Sequence, residues 1–325
     1  MRVLVLCCAF GAPTAAARRP EPESATMASP RTLWSVHSAR EEKTWRQCHD
    51  AQASKAAANV PGPPGTQRVA LIGDSLMESW TGRTYCMSVP KYRGVTALAQ
   101  QFVAAPVVLA IAGDHTQHLL WRLQHGELVP SMAADPALVS VLLIGTNNLG
   151  AGHTVDQVVA GVEAAASLLL NRTRGRLILH GLLPRGDAHK RPKAPIVGHA
   201  ADGRPLCSFL PAIAAVNRKL NASVTGGALA REHPNRVSYA ECGGPFYATG
   251  PAEPGEAGRR CPRGAAARDR AAEGGRRLGS KPRPPSEVAL DLMPDGIHPN
   301  YEGHEVWARC LGRLLPKAPG QHSVI

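Results

Sequence analysis

Apolar residues gather into short unbroken runs, and the stretches between them carry a helical period. Runs at 68–72, 106–111, 139–144 and 176–180 read as strands. Continuous rather than alternating apolar residues suit strands covered on both faces. A weaker run at 236–239 predicts a fifth. Between them the spacing predicts helices over 114–124, where Leu119, Leu120 and Leu123 face inward, over 209–220 and over 302–315. Thr154 and Gln157 form a capping box, which opens a helix whose apolar stripe is Val155, Val158, Val159, Val162, Ala166 and Leu169. Strand alternating with helix predicts an α/β class: a central parallel sheet of about five strands between two helical layers.

The ends of the chain differ from this middle. Residues 1–17 hold Arg2, an apolar run and Ala15-Ala16-Ala17, the pattern of a signal peptide. Residues 18–65 form a polar N-terminal helical and linker segment, with "REEKTWRQCHDAQASKAAA" as its helix and Pro61-Gly62-Pro63-Pro64-Gly65 as its breaker. The main domain is expected over 66–318. It is interrupted at 248–285 by an Arg-, Pro- and Gly-rich insertion with too few apolar residues to fold.

Composition changes this picture little. At 325 residues and 44% hydrophobic, the chain can bury a sizeable core. Of the +12 formal charge, +5 falls between Glu253 and Arg283, with nine Arg/Lys against four Asp/Glu. No aromatic residues interleave with these basic ones, so no nucleic-acid partner is expected. Two glycosylation sequons (Asn171-Arg172-Thr173 and Asn221-Ala222-Ser223) and six cysteines beyond Cys7 and Cys8 favour a secreted protein. A cytoplasmic location with reduced thiols stays open.

Open parallel sheets place their sites beyond the carboxyl ends of the strands. The residues following the runs are Gly73-Asp74-Ser75, Ala112-Gly113-Asp114 and Gly145-Thr146-Asn147-Asn148, and later "DLMPDGIHPN", which holds Asp295 and His298. Each alone is an ordinary turn or cap. Together they supply what acyl transfer requires: a hydroxyl (Ser75), a base (His298), an anion three residues before it (Asp295), and oxyanion donors from the Ser75 and Gly113 N–H groups and the Asn147 amide. Trp80, just past Ser75, and Arg185, in the loop after the fourth strand, are the weak substrate-binding candidates. Asp74 is not read as the acid, because Asp295 has the better spacing to His298.

Two rival chemistries find less support. His115, His118 and His125 share one predicted helix, but no HExxH-like pattern completes a metal site, and neither metal nor cofactor is expected. Asp114 is read as a cap for that helix. No Gly-rich phosphate loop follows the first strand, and Asp74 puts a carboxylate where a nucleotide phosphate would bind.

The order Gly-Asp-Ser, Gly, Gly-x-Asn, Asp-x-x-His resembles the SGNH (GDSL-type) hydrolase superfamily, across most of residues 68–315. The strings "IAGDHTQHLLWRL", "LIGTNN" and "LHGLLPRG" are similar to the branch formed by the catalytic alpha subunits of platelet-activating-factor acetylhydrolase. The resemblance implies a flavodoxin-like three-layer fold, with Ser75 as nucleophile, Asp295 and His298 completing a triad, and Gly113 and Asn147 as oxyanion donors. It also implies a homodimer. Asn148 stands where the superfamily often has Asp, and "DGIHPNYEGH" looks more like microbial and plant members. The expected activity is hydrolysis of a small ester, acetyl foremost, through an acyl-enzyme. The alcohol is left open among small esters, lipids and acetylated glycans. The alternative is a non-catalytic scaffold that kept the fold.

Overall fold

The computed structural model describes residues 24–31, 39–58, 68–102, 106–186, 208–248 and 288–315. The expected signal peptide, and the expected insertion apart from its first residue, lie outside the described residues, as do Cys207 and Cys261. In chain order the strands are β1 (Arg68–Gly73), a short hairpin β2 (Arg83–Thr84) and β3 (Met87–Ser88), β4 (Val107–Ala110), β5 (Leu138–Leu143), β6 (Arg176–His180) and β7 (Val237–Ala240). The helices are α1 (Ala39–Ala58), α2 (Ser75–Glu78), α3 (Val95–Phe102), α4 (Thr116–Arg122), α5 (Pro130–Ala133), α6 (Thr146–Ala151), α7 (Val155–Arg172), α8 (Leu210–Thr225), α9 (Ala228–Glu232) and α10 (Tyr301–Leu314).

Five strands form one parallel sheet in the order β4–β1–β5–β6–β7, flanked by helices, as the apolar runs predict. Every residue of β1 and β5 is buried. These two pair along their whole length, with Gly73 opposite Leu143 and, on the other edge, Ala110. A Cβ on Gly73 would lie 2.0 Å from the Leu143 carbonyl oxygen, so only glycine lets the chain leave the sheet here. The Thr154–Gln157 capping box forms: the Thr154 N–H donates to Gln157 at 2.8 Å and the Gln157 N–H to Thr154 at 3.3 Å.

Beside α10 the core is aromatic. Trp80 packs edge-on against His304 and tilted against Trp307. The Trp307 indole donates to His180 Nε2 at 2.9 Å, so His180 donates its own Nδ1 proton to the Gly181 carbonyl. Burial lowers the pKa of both His180 and His304 to about 4 and keeps them neutral.

Two details differ from the sequence reading. The helix predicted over 114–124 begins at Thr116 with His115 as its N-cap, and leaves helical geometry at His125 and at Gly126, whose φ is 113°. Asp114 therefore does not cap it. The helix placed ahead of residue 66 is also an integral layer. In α1, Trp45 is wholly buried, Gln52 donates to the Ala110 carbonyl at 2.6 Å, and Cys48 is disulfide-bonded to Cys86 beside the hairpin.

What draws Asp114 inward is a buried lattice of charge. Arg122 on α4 is fully buried, and its Nε donates to Asp114 Oδ2 at 2.7 Å. Its Nη1 donates to Glu127, and its Nη2 reaches the Gly73 carbonyl at 3.2 Å. From α1, the Trp45 indole donates to Asp114 Oδ1 at 2.7 Å and His49 meets Glu127 Oε1 at 2.9 Å. Removing one partner of a buried ion cluster strands the others in a medium that solvates them poorly. Arg122→Met should therefore lower unfolding free energy by about 3–5 kcal/mol in urea titration. A loss below about 1 kcal/mol would show that the lattice is not held by its charge.

Candidate active site

At its carboxyl rim the sheet ends β1, β4 and β5 on short turns that carry Asp74-Ser75, Gly113-Asp114 and Thr146-Asn147. After β1, Asp74 takes an extended conformation and its Oδ1 accepts the Leu76 N–H at 3.0 Å, capping α2. Ser75 thus becomes the first residue of a helix emerging from the sheet edge. Its Oγ lies 2.9 Å from His298 Nε2. His298 Nδ1 lies 2.8 Å from Asp295 Oδ2, while Asp295 Oδ1 accepts the backbone N–H groups of Ile297 and His298 at 2.9 and 2.7 Å. A carboxylate can only accept, so Nδ1 carries the imidazole proton and Nε2 presents its lone pair to Ser75.

Partial burial pulls the Asp295 pKa upward. The His298 hydrogen bond and charge and the two backbone donors outweigh it and hold the carboxyl well below the usual range. These contacts favour the ionised carboxylate. Lys91 Nζ adds a positive charge 3.6 Å from the same oxygen that faces His298.

The donor side is built from two other strand ends. Gly113 sits in a turn closed by the Asp114 N–H on the Ile111 carbonyl at 3.2 Å, and has a φ of 80°. A side chain there would be strained, and its Cβ would meet Tyr85 and Arg31. Asn147, at the second position of α6, donates one of its two amide protons to the Asp114 carbonyl at 3.0 Å. Asn148 is fully buried, accepts the Thr116 N–H at 2.9 Å and donates to Thr116 Oγ1 and Gln117 Oε1, each at 3.2 Å. This joins the Asn147 turn to α4, and a carboxylate could not make the donor half of the bridge.

Ser75, His298 and Asp295 thus come together in line, with Gly113 and Asn147 joined through the Asp114 segment. Asp74 Oδ1 is taken by the Leu76 N–H, and it is Asp295 that meets the His298 imidazole. The two weak substrate candidates are corrected. Trp80 is buried against α10 and faces the core rather than an acyl pocket. Arg185 is 3% exposed; it donates to the Thr146 carbonyl at 2.8 Å and stacks on Phe209, and so supports the Asn147 turn from beneath instead of rimming an opening. His115 and His118 stack on each other and the His115 N–H donates to His118 Nδ1 at 3.1 Å, which makes them a helix cap. The only metal-capable trio found among the described residues is Cys48, Glu78 and Cys86, two of which form a disulfide. Sequence reasoning passed over Arg31 and Glu78, which hold the Gly113 turn. Neither carries a motif, and Glu78 reads as an ordinary helical acid.

A parallel-sheet rim carrying a hydroxyl, an imidazole and a carboxylate in line is the arrangement that lets a neutral hydroxyl act in acyl transfer. The family model of GDSL-like lipases and acylhydrolases matches residues 71–306, and the chain belongs to that family, within the SGNH hydrolase superfamily. It is 41% identical over 110 residues to the platelet-activating factor acetylhydrolase IB subunit alpha1 of Bos taurus, covering 31% of this chain and 44% of that one. It is 41% identical over 78 residues to the alpha2 subunit of Gallus gallus, covering 24% and 31%. The matched segment thus spans less than half the length of these relatives. Among solved structures, a lipolytic G-D-S-L family member from Veillonella parvula aligns with a TM-score of 0.38 at 17% identity, over 58% of this chain and 90% of that one.

Asp74 gives this rim a pH signature. It is wholly buried, and among the described residues its Oδ2 has no hydrogen-bond partner. Burial is the main cause that raises its pKa to about 7, despite the Leu76 N–H and the distant Arg185 and Arg122 charges. An acid raised on folding binds a proton in the native state that the unfolded chain has released, so its contribution to stability falls as pH rises from about 4 to about 7. Asp74→Asn removes this effect. Unfolding free energy of the variant minus wild type should increase with pH across that window, by up to about 4 kcal/mol. A difference flat with pH would contradict the assignment.

Proposed function

We propose that the protein is a serine esterase that hydrolyses a short acyl ester, acetyl foremost, through an acyl-enzyme. The observation that carries this is the continuous line Ser75 Oγ, His298 Nε2, His298 Nδ1, Asp295 Oδ2, with contacts of 2.9 and 2.8 Å. His298 takes the Ser75 proton as Oγ attacks the ester carbonyl carbon. The negative charge moves to the carbonyl oxygen, where the Ser75 and Gly113 N–H groups and the free Asn147 proton receive it. Each such donor contributes on the order of 3 kcal/mol to lowering the barrier. Collapse breaks the bond to the alcohol, which leaves with the proton from His298. Water then repeats the attack on the acyl carbon, with His298 again as base, and restores Ser75. Asp295 holds the imidazole in the tautomer that keeps Nε2 free and stabilises its protonated form.

Support for acetyl comes from likeness: the relatives named above are acetylhydrolases. Two disulfides, Cys48–Cys86 and Cys242–Cys310, support an oxidising, secretory location.

The test is a chain-length series of p-nitrophenyl esters run beside a lysolipid-like ester and an acetylated polysaccharide. Acetate should exceed octanoate in kcat/KM by about tenfold or more, the discrimination expected of a pocket that excludes extra methylenes. Ser75→Ala should lose activity about 10⁴-fold or more without unfolding. A preference for long chains would overturn the acetyl assignment. Absence of hydrolysis across the panel by folded protein would favour a scaffold.

A further inference from the structure

Glycine 113 has no side chain through which its N–H could be aimed, so the direction is set by whatever grips the peptide group it belongs to. That planar unit carries the Ala112 carbonyl at one end and the Gly113 N–H at the other, pointing opposite ways across a trans bond. Arg31 Nη1 donates to the Ala112 carbonyl at 2.8 Å. On the preceding peptide, the Ala112 N–H donates to Glu78 Oε2 at 2.7 Å. Glu78 sits in the same short helix as Ser75 and also accepts the Tyr85 N–H at 3.0 Å and the Cys86 N–H. Ala112 is thus fastened at both ends, by a carboxylate from the Ser75 helix and a guanidinium from the opposite side.

We infer that Arg31 is a positioning residue for the oxyanion donor Gly113, an inference that rests on the serine esterase reading above. Arg31 fixes the plane of the Ala112–Gly113 peptide so that the Gly113 N–H points away from the guanidinium. A cationic donor on the peptide oxygen also polarises the unit and strengthens the N–H at its far end.

Arg31 is built in for this task. It is 4% exposed, its Nη2 meets Glu41 Oε1 at 3.0 Å, and its guanidinium lies 5.6 Å from the centre of the Tyr85 ring. A Cβ on Gly113 would fall 3.1 Å from Arg31 Nη2. The segment bearing it is tied to α4 by the Ser29 N–H on the Gln117 carbonyl at 3.2 Å and by Thr116 Oγ1 on the Ala25 carbonyl at 2.7 Å. Arg31 lies outside the 71–306 span matched by the family model, so this grip is a contribution of the chain's own N-terminal segment.

The experiment compares wild type, Arg31→Ala and Arg31→Lys on p-nitrophenyl acetate, together with the rate of covalent labelling by a fluorophosphonate. Arg31→Ala should lower kcat and the labelling rate by about tenfold to a hundredfold, the effect of a misaimed donor, with KM within roughly twofold. Guanidinium chloride below denaturing concentration should restore part of the lost kcat by filling the vacated site. Arg31→Lys, which keeps the charge without the fork, should fall between the two; it stands as the test if the alanine variant fails to fold by circular dichroism. A folded variant with wild-type kcat and labelling rate, or one in which only KM rises, would overturn the inference. Failure of wild type itself to label or turn over would instead overturn the esterase reading.

Discussion

The rim of this protein is held by one buried cation. Arg122 bonds the carbonyl that ends β1 and the carboxylate that follows β4, and its third contact, Glu127, is bonded in turn by α1. Charges at this depth lose several kcal/mol of hydration each, which only close, fully hydrogen-bonded geometry can offset. Sliding β1 against β4 by one residue would break the contacts to Gly73 and Asp114 together. The lattice therefore ties the turn that presents Ser75 to the turn that contains Gly113. The remaining contacts refine that spacing: Glu78 from the Ser75 helix, Arg31 from the N-terminal segment, and Asn147 on the Asp114 carbonyl.

Against this fixed side stands a more exposed one. His298 reaches Ser75 from 223 residues away in sequence, on a turn whose Asp295 side chain is 47% exposed. Two backbone donors and the imidazole hold Asp295, and the Asn300 cap anchors α10 directly after it. The two sides differ in burial: the turns that carry Ser75 and Gly113 are tied into the lattice, and the Asp295–His298 turn is the more exposed.

Much of this was legible in the sequence. Burial on both faces forces continuous apolar runs, so all five sheet strands could be read, and the Thr154–Gln157 box announced α7 through its own chemistry. Ser75 stands out because a polar turn ends an apolar run, and Asp295 and His298 stand out through their three-residue spacing. Asp114 was misread as a cap because a carboxylate before a helix has two uses, and only the fold brings Arg122 and Trp45 to it. Arg31 and Glu78 act on backbone atoms across the fold and leave no period or spacing. Nearness to Ser75 suggests Trp80 and strand-end placement suggests Arg185 as substrate contacts, but the packing of Trp80 on α10 and the bond from Arg185 to the Thr146 carbonyl bury both side chains. The pairing of Cys48 with Cys86 and of Cys242 with Cys310 depends on where α1 and α10 pack, which cysteine spacing does not encode.

The central claim is that Ser75 becomes transiently acylated, and peptide mass spectrometry after rapid acid quench of the protein turning over p-nitrophenyl acetate tests it most directly. The account predicts a single acetyl group on the peptide containing Ser75, present during turnover and absent in Ser75→Ala. An acetyl group confined to any other residue, or turnover with Ser75 unmodified at every quench time, would contradict it.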